Sequence, residues 1–513
     1  MSSKNKLIRT TSLIIFCTFI SKVMGLLRDI FTASKFGTSA NLDAFFAASN
    51  IPMILFITIG AALTTTLIPL YNQKLSEGKK EAERFINNVL NTFIVVTVVI
   101  SLICIIFSKY IVLILNPGFA GEQLYITQKL TIILIPTLIF NAVIYIFNGV
   151  LQSENNFTAP ALVAIPFNLL IIIYLMVYGY KQSIVGLTVI TGIATFIQII
   201  PLMVYMKKSG YKYKFFIDLK DPMLKKMGIM LIPVILGSGV QQINSFIERG
   251  IATKYGTGSL SALSYGYRIF ALFIDVFVLS LAIVIYPQMS KDVADNAVDK
   301  MKSTLVKSMK LIIVFILPMS IIIILQSKPI IYVLLERGAF NRESTIITAN
   351  VLLFYAIGSV AIAIRDMVCK GFYALKDTKT PMINSAIAMV VNILLIFIFK
   401  NYFGFMGIPL ASAVTMYITC FLLIFSLVKK IGSFDNKDMI LTVIKSIVAS
   451  VIMTVSIIYL NRFLIFDFSS SVIIFIKLVI SSLVGYIIYV LISFVLGINE
   501  IKQIVELRKF PKK

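Results

Sequence analysis

Apolar residues in this chain come in long runs rather than in alternation. Runs of about twenty residues recur at roughly 10–31, 44–69, 85–108, 127–152, 159–180, 185–206, 228–250, 262–287, 304–326, 346–372, 382–400, 405–428, 439–460 and 472–497. A helix needs about 20 apolar residues to cross the hydrocarbon core of a bilayer. Strands in lipid must close into a barrel and read as short alternating segments, a pattern these runs lack. The chain therefore reads as an all-α polytopic membrane protein with about fourteen transmembrane helices.

The polar punctuation gives an orientation. Lysine collects in every second loop, at Lys79 and Lys80, from Lys207 to Lys226, from Lys300 to Lys310 and from Lys429 to Lys437. With both tails, that side holds roughly 29 Lys and Arg against roughly 9 in the opposite loops. The positive-inside rule then puts both termini in the cytoplasm. Lys4, Lys6 and Arg9 precede the first apolar run, as in a signal peptide. No small-x-small cleavage pattern follows and the run continues into Lys22 and Arg28, so it reads as a retained first helix.

Composition narrows the function classes. The 513 residues are 58% hydrophobic and 14% charged, with a mean hydropathy of +0.95; soluble domains carry about 25% charged residues. A net charge of +24 often signals nucleic acid. Here the charge sits in short loops between apolar spans, where it sets topology and meets anionic headgroups, so no nucleic-acid partner is expected. The chain has no histidine, which excludes a histidine proton relay or metal site. Cys17, Cys104, Cys369 and Cys420 lack metal-ligand spacing. Neither metal nor cofactor is expected. No long soluble segment interrupts the spans, and there is no paired-acid or Gly-x-Ser-x-Gly motif. A transporter is expected rather than an enzyme.

The two halves echo each other. Ala33-Ser34-Lys35-Phe36-Gly37-Thr38 recurs as Ala252-Thr253-Lys254-Tyr255-Gly256-Thr257. Pro69 returns as Pro287, Gly118 before Phe119 as Gly338 before Phe340, and the segment Gly149 to Pro160 as Gly371 to Pro381. All are offset by roughly 220 residues, a length that holds six spans. An even number of spans gives both repeats the same orientation, hence two parallel lobes around a central cavity. The expected organisation is an N-lobe at 1–215, a C-lobe at 216–430, and two further spans with a basic tail at 431–513.

Charge inside the spans marks candidate chemistry. Of 47 basic residues only ten are arginines, and Arg28, Arg249, Arg268 and Arg365 lie in or at the ends of apolar runs. A charge at bilayer depth costs at least about 2.5 kcal/mol, so it needs water or an anionic partner. The guanidinium fork grips phosphate at two points, where lysine is a point charge. Converging arginines would suit a phosphate or pyrophosphate. Local pairing is the competing reading, with Asp29 for Arg28, Glu248 for Arg249 and Asp366 for Arg365. Arg268 has only Asp275, about two turns away. Lys22 and Lys370 are weaker candidates. Asp43 either balances the arginines, gates the cavity or binds a coupling cation, or it serves a helix start. Gln241, Gln242 and Asn244 line a cavity or join helices.

Ser21-Lys22-Val23-Met24-Gly25-Leu26-Leu27-Arg28-Asp29, followed by Lys35-Phe36-Gly37 and Asp43-Ala44-Phe45-Phe46, resembles the opening of the MurJ/MviN family of the MOP exporter superfamily. The segment from Ile243 to Phe270 resembles that family's seventh and eighth helices. Leu334 to Asn341 and Gly371 to Pro381 resemble later blocks. The resemblance covers nearly the whole chain. It implies a flippase for lipid II, the undecaprenyl-pyrophosphate-linked disaccharide-pentapeptide of peptidoglycan synthesis. Membrane lipids and peptidoglycan-synthesis proteins are then further partners, and the bacterial plasma membrane the location. Family basic cavity positions fall on Lys22, Arg28 and Arg268, and the acidic second-helix position on Asp43. Lys22 stands where many members have arginine. The second-helix arginine of some members has no match within Phe56 to Gly60, where Arg249 or Arg365 would have to compensate. An asparagine and an aspartate four residues apart form a sodium site in some members; here Asn392 is followed by Ile396. The last two spans would line a groove for the lipid tail.

Other readings predict different residues. A flippase for another polyprenyl-linked saccharide, of capsule or spore cortex, shares the same cavity logic. A drug or cation antiporter of the superfamily predicts an acid-dominated cavity. A membrane scaffold needs no intramembrane arginines at all.

Overall fold

The computed structural model describes residues 3–178, 183–434, 436–463 and 471–502. The expected basic tail beyond 502 lies outside the described residues, as do the side chains of Lys4, Lys6, Arg9, Phe56 and Gln241. The described chain is helical, with no strand. In order the helices are α1 (Ser3–Phe36), α2 (Ala40–Glu77), α3 (Lys79–Ile106), α4 (Ser108–Leu115), α5 (Gly121–Leu134), α6 (Thr137–Ser153), α7 (Thr158–Leu162), α8 (Ala164–Val177), α9 (Ile184–Ile197) and α10 (Ile199–Lys208). There follow α11 (Pro222–Ala252), α12 (Ser259–Ala294), α13 (Val298–Leu325), α14 (Ser327–Leu335), α15 (Arg342–Ile357), α16 (Ser359–Ala374), α17 (Lys379–Phe403), α18 (Gly407–Ile431), α19 (Asn436–Phe463) and α20 (Ser471–Val495).

By length and apolar composition, eight stretches among the described residues can cross a membrane, or up to ten if each of two bent pairs counts as one span. One stretch, Lys379–Ile431, contains both α17 and α18, which pack on each other across a short connector. The bent pairs are α5 with α6, at 41°, and α15 with α16, at 45°. An all-α, multi-pass membrane architecture follows.

The sequence repeat reappears as a repeat of elements. The long α2, with Pro69 inside, matches α12 with Pro287. The 28-residue α3 matches the 28-residue α13, and the short α4 matches α14. The bent pair α5–α6 matches the bent pair α15–α16. Local chemistry sets the starts. Ser39 accepts a hydrogen bond from the Leu42 N–H at the head of α2, and Asn341 does the same for Ser344 at the head of α15. Asp221 caps α11, with Pro222 at its first position.

The chain forms two compact units. One comprises residues 1–261 with 337–340, the other 262–336 with 341–513. In the first unit, Leu63 and Leu67 of α2, Phe85 and Val89 of α3, Ile146 and Val150 of α6 and Leu202 of α10 form a common core. In the second, Val314 of α13 packs with Met453 and Ile457 of α19 and Tyr489 of α20. The Tyr489 hydroxyl donates to the Val314 carbonyl at 2.9 Å, satisfying both in a buried setting. Lys310 of α13, 7% exposed, pairs with Asp438 at 2.5 Å and with the buried Glu500 at 2.9 Å. Outward faces stay apolar, as lipid requires: Leu483, Leu491 and Val495 of α20 are 58–79% exposed.

Candidate functional site

Four of the six candidate residues lie in the first unit. Lys22 and Arg28 are half-buried on α1, on which α7 and α8 pack. The Arg28 guanidinium donates to Asp29 Oδ1 from Nε at 3.1 Å and from Nη2 at 2.8 Å. It also sits 5.7 Å from the Phe167 ring centroid on α8. One carboxylate oxygen takes both donors, and the arginine side chain keeps 22% of its surface exposed. Such a guanidinium is oriented by its neighbour yet retains N–H groups directed elsewhere.

Asp43, in the first turn of α2, is 1% exposed. Its Oδ2 accepts from the Gly258 N–H at 2.6 Å; its Oδ1 accepts from the Ser261 N–H at 2.7 Å and the Ser261 hydroxyl at 2.5 Å. The carboxylate therefore caps a helix start, but that of α12 rather than its own. It satisfies donors that the first turn of any helix leaves unpaired, where negative charge is favoured. Gly258 adopts φ +88°, and a side chain there would lie 2.6 Å from the Thr38 carbonyl, so only glycine fits.

Arg249, half-buried near the end of α11, donates through Nη1 to Asn50 Oδ1 on α2, two turns beyond Asp43. The neighbouring Glu248 accepts from Asn244 at 2.9 Å. A polar row from Asn244 to Arg249 thus runs along α11 where it packs on α2.

The other two candidates lie in the second unit. Arg268 is half-buried on α12, between Tyr267 and Phe270, whose rings contact Tyr355 of α15 at 5.4 and 5.8 Å between centroids. Asp275, two turns on, is exposed. Arg365 on α16 donates to Asp366 Oδ1 from Nε at 3.0 Å and from Nη2 at 2.6 Å, with Nη1 3.3 Å from the Met416 sulfur. It repeats the Arg28–Asp29 arrangement, an arginine oriented by the acid that follows it. Lys370, one turn along, lies 5.5 Å from the Tyr286 ring and 5.7 Å from that of Tyr373, both cation–π distances.

Two features were not read from the sequence. The partners of Asp43 are Gly258 and Ser261, signalled only by the Gly-Thr-Gly-Ser run that opens α12. The second is a comb of Asn87, Asn88 and Asn91 on α3, all nearly fully buried, which binds the extended segment before α11. Asn87 donates to the Lys212 carbonyl, Asn88 to that of Asp218, and Asn91 to those of Lys214 and Phe216. Their amide oxygens accept in return from the Tyr211 hydroxyl, the Asp218 N–H and the Tyr213 hydroxyl. Asn392 on α17 accepts from Thr415 at 3.2 Å. No cluster of His, Cys, Asp or Glu able to hold a metal occurs among the described residues.

The family model described as lipid II flippase MurJ matches residues 32–497. The probable lipid II flippase MurJ of Rickettsia prowazekii (strain Madrid E) is 30% identical over 416 residues, covering 80% of this chain and 82% of that protein. The lipid II flippase MurJ of Thermosipho africanus (strain TCF52B) is 28% identical over 499 residues, 96% of this chain and 97% of its own. A solved structure of lipid II flippase MurJ in an inward closed conformation superposes with a TM-score of 0.82 at 27% identity, covering 94% of this chain and 98% of that one. An inward-facing multidrug resistance MATE family transporter of the MOP superfamily shares the fold, with a TM-score of 0.71 at 15% identity over 81% of this chain and 96% of its own. With a family match running from α1 to beyond α20, the chain belongs to the lipid II flippase MurJ family.

Proposed function

We propose that this protein moves lipid II from the inner to the outer leaflet of the bacterial plasma membrane by alternating access. Membership of the flippase family over residues 32–497 carries the reading. The half-buried arginines within apolar helices support it, because a pyrophosphate headgroup needs such partners to leave water. In this account the fourteen spans form an N-lobe at 1–215, a C-lobe at 216–430 and a tail-binding pair at 431–513, with both termini cytoplasmic. Arg28 and Arg268, with Lys22, Arg249 and Arg365, grip the sugar-pyrophosphate head, while the polyprenyl tail stays in lipid. Asp29 and Asp366 orient their arginines. Asp43 holds the start of α12. No bond is made or broken. An inward-negative potential favours cationic residues facing the cytoplasm, by about 2.3 kcal/mol per charge per 100 mV, which helps reset the empty carrier. Membrane lipids and peptidoglycan-synthesis proteins are its neighbours.

Reconstitution tests the reading. Proteoliposomes containing the full chain and lipid II, probed with an impermeant reagent for the headgroup, are expected to show protein-dependent movement that Arg268→Ala and Arg28→Ala abolish. Movement of lipid-linked saccharides other than lipid II, with lipid II itself left in place, would replace this cargo by another polyprenyl-linked one.

A further inference from the structure

The repeated Ala-Ser/Thr-Lys-Phe/Tyr-Gly-Thr and Gly-Phe motifs meet each other across the repeats. Ser34 and Thr253 are equivalent positions, at the ends of α1 and α11. Gly118 and Gly338 are equivalent as well, in the loops after the short helices α4 and α14. Gly118, from the first repeat, lies against the backbone of Thr253 in the second, so a methyl group at Gly118 would fall on the Thr253 carbonyl. Gly338, from the second repeat, lies against Ser34 in the first, and a methyl there would fall on the Ser34 carbonyl. Each contact carries a hydrogen bond: the Gly118 N–H donates to Thr253 Oγ1 at 3.0 Å, and the Ala339 N–H donates to the Ser34 carbonyl at 2.8 Å. Ser34 is in the last turn of α1, where carbonyls have no acceptor role within the helix, so the loop of the other repeat completes the helix end. Phe119, next after Gly118, and Phe340, two residues after Gly338, are buried at 4% and 1% exposure and anchor the loops.

We infer that these two glycine loops form a reciprocal latch, each repeat closing on the helix end of the other, which holds this side of the protein shut and must part in each transport cycle. The inference rests on the alternating-access reading. Under the proposed topology the latch lies on the membrane face opposite the termini. Backbone-to-backbone contact suits such a device, because it packs closely without the interdigitated side chains that slow separation. The two arms are not identical. Gly37, at φ +60°, also meets the Ala339 backbone, whereas its repeat mate Gly256 faces open space. The Gly338 arm is therefore the tighter one.

The test is a spin-label distance across the Gly118 arm in the full chain, reconstituted in lipid, from labels at Tyr125→Cys and Thr257→Cys with the four native cysteines replaced. Both label sites are exposed. Gly118→Ala and Gly338→Ala are each expected to raise the long-to-short distance ratio by at least about tenfold, the size of an ordinary overpacking cost. Thr253→Val, which keeps the side chain's shape and removes the bond from Gly118 together with the local one to the Gly250 carbonyl, is expected to raise it by a few-fold. Gly192→Ala, at a helical position with open space, is expected to leave it unchanged. If the alanine variants lose their fold, the valine variant decides alone. Wild-type distances in Thr253→Val, or in correctly folded Gly118→Ala and Gly338→Ala, would overturn the latch. A wild type that shows one distance with and without lipid II, while the variants open, would leave the latch standing and count against alternating access.

Discussion

At the scale of single residues, Asp43 shows how a charge inside a membrane protein is tolerated. Three donors from the head of α12 surround it, so its burial is matched by charge-assisted hydrogen bonds. Asp43→Ala would leave these donors buried without an acceptor, at a cost of about 2–3 kcal/mol. Asp43→Asn would turn one acceptor into a donor facing another donor. Both are expected to lower the melting temperature in nanodiscs, and unchanged melting would remove the capping role. Asp377, in the connector between α16 and α17, makes a pH prediction. Burial raises its pKa, but the Lys430 ammonium at 2.5 Å and the Thr380 N–H and hydroxyl outweigh it and bring the carboxyl from 3.8 down to about 2. A depressed folded pKa means this contribution to stability is fully present above pH 3.8 and is lost as pH falls through about 2. Limited proteolysis by pepsin should therefore open this connector progressively between pH 4 and 2. Asp377→Asn should remove that pH dependence; its persistence would mean that another group titrates. The sequence offered a helix start as one of several readings of Asp43, and it set Arg28 and Arg365 beside acids. It did not show which helix Asp43 serves, because the Gly258 and Ser261 donors lie more than 200 residues away and only folding brings them near.

At the scale of elements, apolar runs made most helices legible, since a lipid-facing helix must be apolar over its whole length. The breaks within runs were harder to see. The bends between α5 and α6 and between α15 and α16 leave the apolar pattern continuous, so each run reads as one span. The asparagine comb was equally hidden, because three asparagines near a span end look like interfacial polarity. It binds the extended segment as a neighbouring strand would, through backbone amides and carbonyls. Asn87→Ala with Asn91→Ala is expected to release this segment, with tryptic cleavage at Lys212, Lys214 and Lys220 rising several-fold while the melting temperature changes little. Cleavage at the wild-type rate would assign the hold to other contacts. Lys310 is the corresponding pin for α19 and the residues after α20. Truncating it to alanine leaves Glu500 buried without its counter-charge, at a cost of about 3–5 kcal/mol. Hydrogen exchange in α19 should accelerate; an unchanged exchange pattern would show that apolar packing alone holds these helices.

At the scale of the whole molecule, the internal repeat connects sequence, elements and proposed mechanism. Four short motifs at a common offset foretold the matching order of α2 to α6 and α12 to α16. The sequence also separates the charges: lysine gathers mainly in loops, while four of the ten arginines lie in or at the ends of apolar runs, and the proposed orientation and headgroup contacts rest on that separation. The cargo is not written in any residue pattern, and family membership supplies it. The central claim is that half-buried arginines carry a lipid-linked pyrophosphate across the membrane. Its most direct measurement is outer-leaflet lipid II in bacteria depleted of their own flippase and expressing this chain, with Arg28→Ala and Arg268→Ala beside wild type at matched membrane levels. The account predicts restored growth and outer-leaflet lipid II with wild type and loss of both with either variant. Full restoration by both variants would contradict it.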